Sequence, residues 1–378
     1  MKKKLLLLIN IDSFFISHRI EIGLAAIKKG YQVHVACLLT EDNKNFLKKK
    51  GFILHNINFD RSSLSVFSFF KNLLEIYFLF KRVKPSIIHL ISIKPVILGG
   101  LVSKIIKVPS VVISITGLGS LYLSKSFLFR IYKLLINQIY KLIFTHNNIK
   151  IIFQNKSDLY YFKKKANLDI KKTILIKGSG VSLKKYYPTK IPEGRPIVLM
   201  ASRFLKDKGI LEFLNCAKIL KKKKINVECV LVGSEDHDNP SSISLATIKK
   251  WEQDKIISNW GFQNNMSHIL SKSSIVVLPS YREGFPKIIM EAAACGRAVI
   301  TTNVPGCRDA VKHNLTGILI PVRNSKALAG AIIYLLKNKV KLRQMGKKAL
   351  LYAKENFEIQ NIVYKNLQIY SELCSIKK

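Results

Sequence analysis

Residues 274–301 read SIVVLPSYREGFPKIIMEAAACGRAVIT and hold the pattern that decides the fold. The apolar run Ile275–Leu278 predicts a buried strand, Lys287–Cys295 predicts a helix, and Ala298–Thr301 predicts a second strand. A strand, a helix and a further strand in this order are typical of a parallel βαβ unit. Ligands of such sheets bind outside the carboxyl ends of the strands. The loop Pro279–Pro286, directly after the first strand, is therefore a candidate site.

The same alternation of apolar and amphipathic stretches fills the rest of the chain. In the first half, buried strands are predicted at Leu5–Ile11, Val33–Leu38, Ile87–Ile91, Val111–Ile115 and Ile149–Phe153. The intervening helices are predicted at Ser17–Lys29, Leu64–Arg82, Pro95–Lys107 and Phe127–Phe144. In the second half, further strands are predicted at Ile197–Met200, Val227–Val232 and Ile318–Ile320, and further helices at Gly209–Lys222 and Ser325–Lys337. The sequence therefore predicts an α/β protein with two doubly wound domains.

Three prolines and a glycine interrupt this alternation at residues 183–196, which predicts a linker. The first domain is then expected over residues 1–182 and the second over residues 197–355. Residues 356–378 predict a C-terminal helix that packs back on the first domain.

Composition limits the partners that the chain can have. Its 378 residues suggest two domains, at roughly 100–200 residues per domain. Lys and Arg number 63 against 23 Asp and Glu, which gives a formal net charge of +40. Such a charge favours nucleic acid, an anionic membrane face or phosphorylated substrates. Compositional drift, in which lysine accumulates on surfaces without a specific ligand, explains the charge equally well.

The six cysteines are scattered and form no C-x-x-C pair, and the eight histidines form no cluster. This pattern predicts neither a metal site nor a disulfide framework, and it fits a reducing cytoplasm. The start, Met1–Ile9, resembles a signal peptide, but Asn10 and Asp12 follow it without a small-residue cleavage site. A buried first strand is the favoured interpretation. No stretch offers the ~18–20 apolar residues of a spanning helix.

The candidate loop carries residues suited to a phosphorylated sugar. Gly284 allows a tight turn, and Pro286 suits the first turn of a helix, where free N–H groups can hold a phosphate. Glu283 lies in the loop beside that point. Glu291 lies inside the helix among isoleucines and alanines, where a carboxylate needs partners. Sugar or ribose hydroxyls would supply them, as would solvent or an internal hydrogen bond.

Two further segments lie where a ligand could reach them. Arg203 and Lys208 follow the predicted strand Ile197–Met200, and both could face a diphosphate. The segment Lys177–Val181 contains Gly180 near the domain boundary, where glycine permits a close backbone approach or a simple turn.

In the first domain, Gly117 and Gly119 follow a predicted strand, but they form no G-x-G-x-x-G fingerprint. The sequence contains no G-x-x-x-x-G-K-[ST] phosphate loop either. A dinucleotide site in the first domain is therefore weakly supported.

At these residues the chain resembles the family 4 glycosyltransferases, which are retaining enzymes of the GT-B fold with two Rossmann-like domains facing across a cleft. The segment from Glu283 to Glu291 matches the family's E-x7-E motif, and Arg203 and Lys208 match its diphosphate-binding pair. The usual continuation of the family is matched at Asn303–Asp309 and Thr316–Pro321. The similarity covers nearly the whole chain.

The resemblance implies seven donor-binding residues: Arg203, Lys208, Gly180, Glu283, Gly284, Phe285 and Glu291. Arg203 and Lys208 would neutralise the diphosphate of a nucleotide sugar, Glu283 would contact the sugar hydroxyls, and Glu291 would hold the ribose. Of these, Arg203, Lys208 and Glu283 are the candidate catalytic residues. The resemblance implies neither a metal nor a cofactor.

Within the family, the chain most resembles bacterial enzymes that extend undecaprenyl-diphosphate-linked sugars. This resemblance rests on His89–Gly99, Gly117–Gly119 and Pro279–Tyr281. It implies a hexosyltransferase with a UDP-linked hexose or N-acetylhexosamine donor and a lipid-linked saccharide acceptor, in cell-surface polysaccharide or glycan biosynthesis. Lys94, Gly117 and Gly119 are the candidates on the acceptor side. Many family members carry a histidine after a first-domain strand, and the matching segment Thr116–Gly119 has none, so no catalytic base is assigned.

The stretches Leu64–Lys84 and Ser126–Lys141 combine aromatic and basic residues. This combination suits helices that lie in an anionic membrane face, and it suits core-facing helices with a solvated basic side equally well. The first interpretation predicts a cytoplasmic protein attached peripherally to the inner face of the membrane.

Three other functions compete with sugar transfer. A basic nucleic-acid- or membrane-binding protein could use an inactive GT-B scaffold, but the sequence has no DNA- or RNA-binding motif, so no nucleic acid is expected. A phosphorylase would need a pyridoxal lysine site, which is not recognisable. A non-hydrolysing epimerase would lack the E-x7-E motif and the Arg/Lys pair.

Overall fold

The computed structural model describes residues 2–59, 66–119, 126–237 and 239–375. Residues 64 and 65, where the second predicted helix starts, lie outside these ranges. The chain divides into two compact units, here called unit 1 (residues 1–179 with 360–378) and unit 2 (residues 180–359).

Residues 183–196 belong to unit 2, because this part of the chain packs on its core. Val181 donates its N–H to the Phe357 carbonyl at 2.7 Å, and Tyr186 is buried in the same hydrophobic cluster as Phe357. The C-terminal helix, by contrast, belongs to unit 1 from Gln360 onward.

Unit 1 is built on a parallel sheet of seven strands in the order β3-β2-β1-β4-β5-β6-β7. The strands are β1 (Lys4–Ile11), β2 (Gln32–Leu38), β3 (Ile53–Asn56), β4 (Ile87–Ile91), β5 (Ser110–Ile115), β6 (Ile149–Phe153) and β7 (Thr173–Leu175). The central strands are buried on both faces, as a parallel sheet covered by helices requires.

The helices of unit 1 are α1 (Asp12–His18), α2 (Ile20–Lys28), α3 (Glu41–Lys49), α4 (Val66–Val83), α5 (Ile93–Ile105), α6 (Phe127–Phe144), α7 (Lys156–Lys165) and, at the end of the chain, α15 (Ile359–Ser375). The single helix predicted over Ser17–Lys29 is wrong. Two helices occupy this region because the backbone leaves the helical conformation at Arg19, where φ is −135° and ψ is −8°.

Helix α5 is buried almost throughout and packs against both α4 and α6. It approaches the sheet closely at Gly99, where an added Cβ would lie 2.5 Å from Leu90 Cδ2 and 2.8 Å from Leu8 Cδ2. A larger residue at this position would push these two leucine side chains out of their places in the core. In the described part of the chain, no helix is long and apolar enough to cross a membrane.

A buried polar chain fixes α15 to the sheet of unit 1. The His89 ring lies 2.6 Å from the Tyr370 hydroxyl through Nδ1 and 2.7 Å from Ser114 Oγ through Nε2. All three residues are buried, so each of these hydrogen bonds replaces lost hydration. Burial holds the pKa of His89 well below its usual value, and the imidazole is neutral.

Unit 2 is built on a second parallel sheet, of six strands in the order β10-β9-β8-β11-β12-β13. The strands are β8 (Ile197–Ala201), β9 (Glu228–Val232), β10 (Ser258–Asn259), β11 (Ile275–Leu278), β12 (Ala298–Thr302) and β13 (Gly317–Ile320). The helices are α8 (Ile210–Lys222), α9 (Leu245–Gln253), α10 (Met266–Lys272), α11 (Lys287–Ala294), α12 (Cys307–Ala310), α13 (Ser325–Lys337) and α14 (Lys339–Asn356).

The prediction of two doubly wound α/β domains is confirmed. Every strand predicted from an apolar run is present, and its ends agree with the prediction to within one residue. The short edge strands β3, β7 and β10 were not predicted.

The buried histidines predict how stability depends on pH. Burial lowers the pKa of His34 from 6.5 to about 4 and holds that of His89 well below its ordinary range. As the pH falls below 6.5, the unfolded chain binds protons on these imidazoles that the folded chain does not bind. We therefore expect the free energy of unfolding to decrease between pH 6.5 and about 4.

Urea denaturation at successive pH values measures this slope. His34→Gln should make this slope shallower, because it removes an imidazole whose pKa is lowered in the folded chain. Equal slopes in the wild type and His34→Gln would contradict the assignment.

Candidate active site

Two loops of unit 2 begin side by side at the carboxyl edge of its sheet. β8 pairs in parallel with β11, and the strand order reverses at this pair, because β9 and β10 extend to one side and β12 and β13 to the other. Such a switch point is where doubly wound sheets bind ligands. The loop after β8 carries Arg203 and Lys208, and the loop after β11 carries Glu283.

Backbone contacts join the two loops. The Asp207 carbonyl accepts hydrogen bonds from the Tyr281 N–H at 2.8 Å and from Ser280 Oγ at 3.1 Å. Both bonds end on the Asp207 main chain, one from the Tyr281 main chain and one from the Ser280 side chain, and together they fix the spacing between the loops.

A salt bridge links the same two loops through their side chains. Lys208 Nζ lies 2.6 Å from Glu283 Oε1, and the two side chains are only 18% and 12% exposed. At this burial the pair is screened less than a surface ion pair. The structure thus brings together a cation and a carboxylate that lie 75 positions apart in the sequence.

Arg203 forms a second ion pair, with Asp236 in the loop after β9. The Arg203 side chain is 49% exposed, so it reaches the surface while Asp236 is almost buried. Asp236 was not predicted, because it has no motif of its own. Its position shortly after a strand of the same sheet is the signal that could have indicated it.

The backbone of the Glu283 loop packs against the loop after β12. The Glu283 N–H donates to the Pro305 carbonyl at 3.2 Å. Gly306 has a φ of +80°, and a Cβ at this position would lie 2.4 Å from the Glu283 carbonyl oxygen and 2.7 Å from that of Gly284. Only glycine fits this conformation and this space.

The start of α11 follows the same loop. Pro286 is the N-cap residue, its carbonyl accepts a hydrogen bond from the Ile289 N–H at 3.2 Å, and no side-chain hydrogen bond caps the helix. The positive end of the α11 dipole therefore lies beside this loop. Phe285 anchors the loop just before this point, because it is buried edge-on against Phe357 with 5.4 Å between the ring centroids.

Glu291 is buried in α11 and has two protein partners. Its Oε1 lies 3.3 Å from Lys287 Nζ, and its carboxylate accepts a hydrogen bond from Tyr186. Burial, and then the charge and hydrogen bond of Glu291, raise the pKa of Tyr186, which is therefore a neutral donor. The internal contacts of Glu291 agree with one of the two interpretations of the sequence, and a contact with ribose stays a prediction.

Gly180 is buried and lies at the first position of unit 2 with a φ of +83°. This backbone conformation favours glycine. The next residue, Val181, forms a bridge with Glu358, so the segment is held by main-chain hydrogen bonds.

The candidates of the first domain lie at the carboxyl edge of the sheet of unit 1. Lys94 is in the first turn of α5, directly after β4, and Gly117 and Gly119 follow β5. The two loops are adjacent, because a Cβ on Gly119 would lie 3.1 Å from Ile93 Cδ1. Ser92, which precedes α5, has a φ of +79°, a strained conformation of the kind found at functional sites.

Among the described residues, no group of three or more His, Cys, Asp or Glu side chains could hold a metal ion. Cys307 is buried close to Glu283 and Lys208, and burial raises the pKa of its thiol to about 12. It is therefore a neutral thiol in this site.

Two family models match the chain. "Glycosyl transferase 4-like" matches residues 4–174 and "Glycosyl transferases group 1" matches residues 185–351. The chain is 31% identical to N,N'-diacetylbacillosaminyl-diphospho-undecaprenol alpha-1,3-N-acetylgalactosaminyltransferase of Campylobacter jejuni, over 86% of this chain and 88% of the relative. It is 25% identical to UDP-Gal:alpha-D-GlcNAc-diphosphoundecaprenol alpha-1,3-galactosyltransferase of Escherichia coli, over 82% and 81% of the two chains.

Solved structures show the same fold at low sequence identity. Sucrose-phosphate synthase from Thermosynechococcus elongatus superposes with a TM-score of 0.79 at 20% identity and full coverage of both chains. Anabaena Alr3699/HepE in complex with UDP gives a TM-score of 0.77 at 17% identity, with 98% of this chain and 100% of that chain covered. The fold and the site thus define a glycosyltransferase of the GT-B class. The chain belongs to the family 4 glycosyltransferases.

The packing at Gly306 predicts the effect of a single methyl group. Gly306→Ala should lower the free energy of unfolding by about 1–3 kcal/mol, because it combines a strained φ with a contact on the Glu283 backbone. Gly330→Ala is the matched control, since an added Cβ at Gly330 meets nothing within 4 Å and the residue lies within α13. The control should stabilise the protein by about 0.5–1 kcal/mol. Chemical denaturation measures both values, and equal effects would contradict the packing at Gly306.

Proposed function

We propose that the chain transfers a hexose or N-acetylhexosamine from a nucleotide sugar to a lipid-linked saccharide, with retention of configuration at the anomeric carbon. The observation that carries the proposal is the convergence of Arg203, Lys208 and Glu283 at the switch point of unit 2. Cations, a carboxylate and a helix start lie together there, and a nucleotide sugar presents a diphosphate and hydroxyl groups to match them.

The chemistry of this site follows from its charges. When the glycosidic bond of a nucleotide sugar breaks, negative charge develops on the leaving diphosphate. Fixed cations stabilise that charge more than they stabilise the ground state, and this difference lowers the barrier. In this proposal Lys208 and Arg203 are the cations that would do so, and the positive end of the α11 dipole would add to them.

Glu283 has a different role in the proposal. Its carboxylate holds Lys208 in the structure and would accept hydrogen bonds from the sugar hydroxyls when a donor is bound. Neither a separate catalytic base nor a metal is assigned to the reaction. Glu291 would contact the ribose through a carboxylate that Tyr186 and Lys287 already orient.

The relatives support a choice of substrates. The names of the Campylobacter jejuni and Escherichia coli relatives both describe acceptors linked to undecaprenol through a diphosphate, and the second also names a UDP-linked sugar. We therefore propose a UDP-sugar donor and an undecaprenyl-diphosphate-linked saccharide acceptor, as in the assembly of cell-surface polysaccharides. Lys94, Gly117 and Gly119 are the proposed acceptor-side residues.

A surface on unit 1 supports attachment to a membrane. Helices α4 and α6 both pack on α5, and each exposes large apolar side chains spaced three or four residues apart along one face. We call this the apolar-basic surface, and its apolar members are Phe67, Phe70, Leu74 and Phe78 on α4 and Phe127, Ile131, Leu134 and Leu135 on α6. Exposed cations flank them at Lys71, Lys81, Arg82, Arg130 and Lys141.

Exposed apolar side chains together with cations favour binding of this surface to an anionic membrane. Apolar side chains gain free energy on leaving water, and the cations are attracted to anionic headgroups. An acceptor on a lipid carrier lies at such a membrane. We therefore propose that the protein binds peripherally to the cytoplasmic face of the membrane through the apolar-basic surface.

The donor site predicts which substitutions abolish transfer. Lys208→Ala and Glu283→Ala should each lower kcat/KM on the order of 10²–10³-fold, because each removes a group that would contact the diphosphate or the sugar in the proposed reaction. Arg203→Ala should act in the same direction. Lys206→Ala is the matched control, since it removes an exposed lysine from the same loop.

The assay uses a panel of UDP- and GDP-sugars with an undecaprenyl-diphosphate-linked saccharide. NMR of the product should show that the new glycosidic bond has the same anomeric configuration as the sugar in the donor. Undiminished transfer by Lys208→Ala and Glu283→Ala would contradict the site, and an inverted product would contradict the retaining mechanism.

The apolar-basic surface predicts binding to anionic vesicles that weakens with salt. Replacing Phe70 and Phe78, which are 57% and 64% exposed, by serine should lower the partition coefficient by about 10-fold or more. Leu351 and Tyr364, which are 58% and 63% exposed outside this surface, provide the control double substitution to serine. Sedimentation with vesicles at low and high salt measures the binding. Equal losses in the two double variants would show that the surface is not the docking site.

A further inference from the structure

Besides the Lys208–Glu283 pair, a side-chain hydrogen bond connects the loop after β11 to α8. The Tyr281 hydroxyl donates to Glu212 Oε1 at 2.7 Å. Tyr281 lies two residues before Glu283, and Glu212 lies in the first turn of α8, four residues after Lys208. The bond therefore joins the loop that carries Glu283 to the helix that follows Lys208.

The Glu212 carboxylate depends on this bond. Its second oxygen, Oε2, is buried and has no hydrogen-bond partner in the described part of the chain. Burial, followed by the hydrogen bond to Glu212, raises the pKa of Tyr281 to about 12. The phenol therefore stays protonated and is the donor of this hydrogen bond. Loss of the hydroxyl would leave a buried carboxylate without its donor, which destabilises the arrangement of α8 and the loop.

A third segment holds the ring of Tyr281. The Arg323 guanidinium lies 4.7 Å from the centroid of this ring. Arg323 follows β13 and has a φ of +58°, which is a strained conformation for a side chain of this kind. Tyr281 is thus held at its hydroxyl by Glu212, and Arg323 contacts both the hydroxyl and the ring face.

We infer that Tyr281 and Glu212 form a positioning pair that sets the distance between Lys208 and Glu283 for donor binding. The inference rests on the proposed function, since it assigns the pair to the donor site. Neither residue touches the reacting atoms. Their bond restricts the loop after β11 relative to α8, and it is independent of the backbone hydrogen bond from the Tyr281 N–H to Asp207. If the bond between Tyr281 and Glu212 is lost, the loop keeps the main-chain hydrogen bond to Asp207 but is no longer tied to α8 through this side chain.

The pair is tested with Tyr281→Phe, which removes only the hydroxyl, and with Glu212→Ala. Tyr334→Phe on α13 is the matched control, since its side chain is exposed and lies outside the site. Calorimetry gives the affinity for UDP, steady-state kinetics gives kcat and both KM values, and amide hydrogen exchange reports on the Tyr281 and Glu283 N–H groups.

We expect Tyr281→Phe to weaken UDP binding and raise the donor KM by about 10-fold, as for the loss of a hydrogen bond to a charged group. The acceptor KM should stay within about twofold of the wild type. Amide exchange at Tyr281 and Glu283 should become faster. Glu212→Ala should reproduce these changes, Glu212→Gln should restore most of the affinity, and the double variant Tyr281→Phe/Glu212→Ala should be no weaker than either single variant.

A merely structural contact would give a different result, namely a lower Tm with an unchanged donor KM and unchanged UDP affinity. That outcome, or additive losses in the double variant, would overturn the inference while the proposed function stands. A wild type that binds no nucleoside diphosphate and transfers no sugar would overturn the proposed function, and the positioning role with it.

Discussion

The parallel pairing of β8 with β11 is the constraint on which the candidate site depends. These two strands are distant in the sequence and adjacent in the sheet, and they end at the same edge. Because the strand order reverses between them, the loops that follow diverge from one point and leave room for a ligand. Lys208 and Glu283 meet there, and the hydrogen bonds from the Tyr281 N–H and the Ser280 hydroxyl to the Asp207 carbonyl keep the loops in place.

The two cations of the candidate site are paired within the protein. Lys208 pairs with Glu283 and Arg203 pairs with Asp236, so each cation is held by a carboxylate. In the proposed reaction, a cation that is already oriented would need little rearrangement when a diphosphate binds, and such preorganisation favours catalysis by electrostatic stabilisation. Under this proposal the same carboxylates would compete with the diphosphate for the two cations, and the affinity for the donor would depend on that competition. The formal net charge of +40 adds a general attraction for anions.

Much of this fold could be predicted because buried parallel strands are continuous apolar runs. The edge strands β3 and β10 were missed, since they are short and partly exposed. A break at Arg19 between two helices leaves no proline or glycine signal in the sequence. In the site, the motif residues were predicted from their positions after strands, whereas Asp236 and Glu212 were not. Their roles arise from contacts with residues far along the chain, and only the folded sheet brings these together.

A crystal structure of the protein with UDP bound tests the central claim most directly. We predict that the diphosphate lies at the carboxyl ends of β8 and β11, with its oxygens within hydrogen-bonding distance of Lys208 Nζ and the Arg203 guanidinium. A diphosphate bound elsewhere, with the Lys208–Glu283 and Arg203–Asp236 pairs undisturbed and no contact with either cation, would contradict it.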